Sequence, residues 1–166
     1  MKVYSIDPPA RAVEILPGAG FQDAFGVSVD DNSLTARQAA EAIFGQPPNW
    51  IRGLMTMRNR IVAPLGLKRP NPNERRSSGR VGIFPILSDS ESRLVGGLDD
   101  IHLDFRVVVD VLTDREANFI TLTTLVRTHN LLGRLYLVCV IPFHRMIVQA
   151  LLRRLVDLRS VESSAG

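Results

Sequence analysis

The stretch NLLGRLYLVCVIPFHRMIVQALLRRLVDL, residues 130–158, decides the fold. Asn130 reads as a helix N-cap, because a short side-chain acceptor satisfies the unpaired amides of a first turn. Arg153, Arg154 and Arg159 lie near the far end, where cations suit the helix dipole. The first half is apolar nearly all round, which argues burial on more than one side. Pro142 falls inside the pattern and must kink the helix or deprive it of one backbone bond. Arg134, Pro142, His144, Arg145 and Gln149 interrupt the apolar run. A lipid-spanning helix needs about 20 nearly uncharged residues, so the reading is a core helix without membrane insertion.

The residues before this helix read as strands. Asn118 to Thr128 is threonine-rich and β-branched. His102 to Leu112 alternates: Leu103, Phe105, Val107, Val109 and Val111 point one way, and His102, Asp104, Arg106 and Asp110 the other. Val108 sits on the polar side and blurs the pattern. Val81 to Leu87 and Ser92 to Leu98 are shorter strands with a turn at Ser88-Asp89-Ser90-Glu91 between them. Asp99-Asp100 and Thr113 to Ala117 supply further turns. Sequential strands with short turns make an antiparallel meander, whose apolar face needs a cover. The terminal helix is the one predicted element long enough.

Toward the N-terminus, residues 1–20 are rich in turn formers and read as an extended lead-in. Phe25 to Val29 is the first strand, and Asp30 to Ser33 closes it. Thr35 caps a helix over Ala36 to Phe44, which Gly45 stops. After Pro47-Pro48, Asn49 caps a second helix on which Trp50, Leu54, Met57, Ile61 and Leu65 share helical spacing. Lys68 to Arg80 has no apolar residue, two prolines and five basic side chains, and reads as an exposed basic loop. Ser160 to Gly166 reads as a frayed tail. The expected architecture is α+β: a curved antiparallel sheet wrapped around a long C-terminal helix, with two short helices after the first strand.

Composition bounds the rest. The 166 residues, 45% hydrophobic and 22% charged, make one globular domain over 1–166 and exclude a disordered chain. The 20 basic and 17 acidic residues leave a net charge of only +3. The basic loop has no interleaved aromatic and no adjoining recognition helix, so no nucleic-acid partner is expected. Cys139 is the single cysteine; it excludes an internal disulfide framework and suits a reducing cytoplasm. Its apolar neighbours mark it as an inert core thiol. The N-terminus lacks a secretory pattern, so a cytoplasmic location is expected. Gly18-x-Gly20 lacks the lysine and strand–helix context of a phosphate cradle.

A family resemblance is carried by Gly97-Leu98-Asp99-Asp100-x-His102-Leu103-Asp104-Phe105-Arg106, by Arg127-x-His129-Asn130-x-x-Gly133-Arg134-x-Tyr136, and by Pro142-Phe143-His144-Arg145. Leu16-Pro17-Gly18-Ala19-x-Phe21-x-Asp23-Ala24-Phe25 and Pro48-x-Trp50 to Arg58-Asn59 carry it further. These motifs resemble a bacterial family of unassigned function in the START-like (SRPBCC, helix-grip) superfamily. That family also occurs fused behind short-chain-dehydrogenase-like domains; no such dinucleotide-binding domain is present here. The resemblance implies a cavity between sheet and helix that, in the wider superfamily, often holds apolar molecules. It implies no known active site.

Several residues carry both a functional and a structural reading. Asp99, Asp100, His102, Asp104 and Arg106 crowd one strand entry, either as an acid–base or binding group or as a turn plus ion pairs on the outer sheet face. One histidine among strand carboxylates has no metal-ligand spacing, so no metal site is expected. His129 stands at the strand-to-helix junction, and His144 follows Pro142 inside the helix, each able to satisfy a freed backbone group or orient a ligand. Trp50 and Phe44, with Met55 and Met57, read as core or as a cavity mouth. The ligand-binding candidates are therefore Trp50, His102, Asp104, Arg106, His129, Tyr136, Phe143 and His144. The first expectation is a non-enzymatic module holding a small apolar or amphipathic ligand, without a cofactor. The alternatives are a cyclase-, dehydratase- or isomerase-type enzyme using His102, Asp104, His129 or His144, and a ligand-free association module, such as a homodimer through the sheet edge.

Overall fold

Alternating apolar residues force a sheet whose one face must be covered, and a computed structural model shows how. It describes residues 2–31, 33–53, 56, 79–113 and 118–164. The strands are β1 (Tyr4–Ile6), β2 (Phe21–Val29), β3 (Arg80–Val81), β4 (Phe84–Asp89), β5 (Arg93–Asp99), β6 (Leu103–Thr113) and β7 (Asn118–Thr128). The helices are α1 (Ala10–Val13), α2 (Ala36–Phe44), α3 (described over 49–53) and α4 (Leu131–Ser164). The strands form one antiparallel sheet ordered β1-β2-β7-β6-β5-β4-β3. This is the helix-grip arrangement, with the long α4 against one face.

Register fixes which residues share a face. Asp23 pairs with Thr124, which pairs with Val107, which pairs with Gly96. On this concave face Phe25, Val27, Val107, Val109, Ile120 and Leu122 form the core with Ala39, Ala40 and Ile43 of α2. Val148, Leu151, Leu152 and Leu155 of α4 complete it. The convex face carries a smaller cluster of Ala12, Val95 and Val108, with Ile15 against it, so α1 and its flank cover the other side.

The caps expected from sequence are in place. Thr35 Oγ1 accepts from the Gln38 amide at 3.3 Å and Gln38 Oε1 accepts from the Thr35 amide at 2.9 Å, a capping box. Asn130 Oδ1 accepts from the Gly133 amide at 3.0 Å and starts α4. Gly133 is required there, because a Cβ would strike the His102 carbonyl oxygen.

Several expectations need correction. The lead-in is not merely extended: Tyr4–Ile6 pairs with β2, and α1 follows. The strand expected from Phe25 begins at Phe21 and is the second, β2. The Val81 to Leu87 strand is split at Gly82, whose φ of +56° turns the chain beside Phe44. The helix runs on to Ser164, into the stretch read as a frayed tail. The largest correction concerns α4. Among residues 131–147 only Gly133 is buried, so the apolar first half is not enclosed. Its second half lies between the sheet and α2, whereas its first half meets β2 and β7 along one side only. By length and composition alone this helix is long and apolar enough to cross a membrane. Cys139 is exposed and not a core thiol. Trp50, at 43% exposure, is not a core residue either. The second helix beyond residue 53, the basic loop over 68–78 and the turn at 114–117 lie outside the described residues, residue 56 excepted.

Candidate functional site

Strand alternation sends Asp104, Arg106, Arg127 and Asp110 to the convex face, away from α4. There Arg127 pairs in register with Asp104; its Nη2 and Nε donate to Asp104 Oδ2 at 2.6 and 3.2 Å. His129 Nε2 lies 3.0 Å from Asp104 Oδ1. Arg127 Nη1 also donates to the Pro17 carbonyl at 3.3 Å, which ties the lead-in to the sheet. Burial alone would raise the Asp104 carboxyl, but hydrogen bonds from His129 and Arg127, helped by the positive charge of each, hold it below the usual carboxylate range.

The neighbouring pairs repeat this pattern. Arg106 Nη1 meets Asp99 Oδ1 at 2.6 Å and donates to the Phe105 carbonyl at 2.9 Å. Arg93 Nε donates to Asp110 Oδ1 at 2.5 Å, and its Nη1 reaches the Arg11 carbonyl at 3.2 Å. His102 holds the start of α4: its carbonyl accepts from the His129 amide at 2.9 Å, and its Nδ1 contacts the Asn130 side chain. Asp104 and His129 thus belong to the cluster that Arg127 ties to the N-terminal arm, His102 braces the start of α4, Arg106 pairs within the sheet, and none of the four faces the space between sheet and helix.

His144 does face that space. Its Nε2 lies 3.2 Å from Oδ1 of Asp23 on β2, and its ring meets Phe21 edge-on at 5.9 Å. The other Asp23 oxygen, Oδ2, is buried and has no hydrogen-bond partner among the described residues. A buried carboxylate oxygen left unpaired costs about 1–3 kcal/mol or more, so a polar partner at Oδ2 would be stabilising. Phe21, Val126, Phe105 and Leu98 occupy the adjoining register row of the concave face. Phe105 stacks on Phe84 at 5.2 Å, and Phe84 meets Phe44 edge-on at 5.5 Å, giving an aromatic wall. Tyr136, Leu137, Val140 and Ile141 on the first half of α4 are only half-buried. The His144–Asp23 pair itself is largely enclosed, its side chains 17% and 11% exposed.

Of the remaining candidates, Phe143 is 46% exposed on α4 and Trp50 stands on α3. Asp23 was absent from the sequence-derived set. Its signal was present, since Phe21, Asp23 and Phe25 are in phase and a carboxylate in phase with an apolar face is unusual. A separate open depression of about 310 Å³ lies among Ser33, Leu34, Thr35, Glu91, Ser92, Val111 and Thr113. Among the described residues its lining includes no histidine and no basic side chain. Among the described residues no three His, Cys, Asp or Glu side chains come together as a metal ion needs.

A family model described as "Protein of unknown function (DUF2867)" matches residues 15–151. No curated protein and no solved structure matches the chain.

Proposed function

Because the chain belongs to that family of proteins of unknown function, with most of its length inside the match, we propose a function from its geometry: the domain binds a small amphipathic molecule between the concave face of the sheet and the first half of α4. The observation that carries this is Asp23, whose Oδ2 is buried without a partner among the described residues while Oδ1 meets His144. A ligand hydroxyl or amine would satisfy that oxygen, and its apolar body would lie against Phe21, Phe105 and Val126. Pockets of this kind combine an apolar lining with a few polar groups that set orientation. Placement in the START-like superfamily belongs to the same proposal; it rests on the motif resemblance and on the helix-grip topology.

The test is displacement of a fluorescent apolar probe by 1-decanol. Wild-type protein should bind decanol more tightly than decane. Asp23→Leu should lose that preference, by about tenfold for one hydrogen bond to a charged acceptor. The same change also takes away the partner of His144, so the thermal midpoint should fall somewhat, and the alcohol preference is therefore read as a ratio of two affinities on folded protein. If Asp23→Leu keeps the alcohol preference, the proposed polar anchor is wrong.

A second reading is acid–base catalysis on such a molecule, as in a cyclase, dehydratase or isomerase. It is favoured by one observation: His144 Nε2 lies 3.2 Å from Asp23 Oδ1, a contact that fixes the orientation of the imidazole ring. His144 and Asp23 are the pair that would serve. Turnover abolished by His144→Gln with binding retained would establish it over simple binding.

A further inference from the structure

The outer side of α4 carries Leu131, Leu135, Val138, Pro142 and Met146 at helical spacing, one stripe over about four turns. Leu131 is 80%, Leu135 60%, Val138 67% and Met146 50% exposed. Just before its N-terminal end the Ile101 carbonyl accepts from the Asn130 side chain at 3.2 Å, and the Ile101 side chain is itself 70% exposed. A continuous row of large apolar side chains facing water marks a contact surface.

The charges beside the row say what it contacts. Arg134 and Arg145 are exposed and run along one edge of the stripe, with Arg153 continuing its line. Residues 131–156 contain no aspartate or glutamate. A second copy of the chain seated on this face would bring arginines together without a carboxylate to pair them, which disfavours self-association. A convex cylinder also offers no groove for a partner's anchoring side chains, whereas a bilayer surface conforms to it. Apolar residues bordered by arginines are the pattern of a helix lying in a membrane interface, its apolar face sunk to the headgroup boundary. Spanning is a different matter. Val148, Leu151, Leu152 and Leu155 of the same helix are locked in the core, and His144 is held by Asp23 on the inner side.

We propose that the outer face of α4, from Leu131 to Met146 with Ile101 at its tip, docks the domain on an anionic lipid bilayer surface. The helix lies parallel to the bilayer, its apolar row immersed and Arg134 and Arg145 at the headgroups. This stands independently of the ligand proposed above, because it uses the opposite face of the helix.

Co-sedimentation of the full chain with vesicles tests it. The protein should pellet with phosphatidylcholine vesicles containing phosphatidylserine, and much less with phosphatidylcholine alone. The paired change Leu135→Glu with Val138→Glu should weaken sedimentation about tenfold or more. Arg134→Gln with Arg145→Gln should weaken it about thirtyfold on anionic vesicles, each arginine contributing about fivefold. All four positions are exposed, so circular dichroism and the unfolding midpoint should stay near wild type. Three results overturn the proposal: no sedimentation with anionic vesicles, a dimer dispersed by the Leu135→Glu and Val138→Glu pair in place of lipid binding, or pelleting that resists alkaline carbonate, as a spanning helix would.

Discussion

Replacing Leu152 and Leu135 by alanine, one at a time, measures the two-sided character of α4. Leu152 is fully buried among the sheet, α2 and its own neighbours. Removing its side chain loses transfer free energy and leaves a cavity, which costs about 3 kcal/mol for a site of this kind. Leu135, on the same helix and of the same chemistry, is 60% exposed. Only its remaining contact is lost, so Leu135→Ala should cost about 1 kcal/mol or less. Urea unfolding followed by circular dichroism separates the two. With a slope of about 2 kcal/mol per molar, ordinary for a domain of this size, the midpoint should fall by roughly 1.5 M for Leu152→Ala and by roughly 0.5 M or less for Leu135→Ala. Equal losses at the two positions would refute the reasoning, since they would mean that the first half of α4 is as enclosed as the second.

Two further stability predictions follow from named contacts. Asp104 has a lowered pKa in the folded protein, so its contribution is complete above about pH 4 and is lost as pH falls through the folded value. Asp104→Asn should therefore destabilise by about 1–3 kcal/mol at pH 7 and by clearly less near pH 2.5; a gap that stays constant across urea titrations at both pH values would refute the pairing with Arg127 and His129. Glycines 133 and 53 should respond oppositely to alanine. Gly53→Ala has open space and should stabilise by about 0.5–1 kcal/mol, whereas Gly133→Ala drives a Cβ into the His102 carbonyl and should destabilise despite its better helix propensity, as thermal midpoints will show.

The β6 and β7 strands and the start of α4 were legible because each has a local cause. Alternation through Leu103, Phe105, Val107, Val109 and Val111 sets the face, and Asn130 supplies the cap. The Thr35 and Gln38 capping box was equally local. What could not be read was sidedness. An all-round apolar helix does not reveal which flank is covered, and that depends on how far α2 reaches along α4. The three residues of β1 are held by pairing with β2, from Tyr4 against Gly26 to Ile6 against Ala24, a cause remote in sequence. The site followed the same rule. The crowd of charges near Asp104 drew attention by density, yet alternation sends them outward to tie down the N-terminal arm. Asp23 stands alone among apolar residues, and only the approach of His144 across the sheet gives it a role.

The central claim, a ligand held between sheet and α4 by Asp23, is tested most directly by native mass spectrometry of freshly purified protein, followed by denaturation and analysis of what dissociates. The account predicts a bound small molecule with an apolar body and a hydroxyl or amine group on wild-type protein, and its absence from Asp23→Leu. A clean unliganded mass for both proteins, with no uptake of added decanol by either, would contradict it.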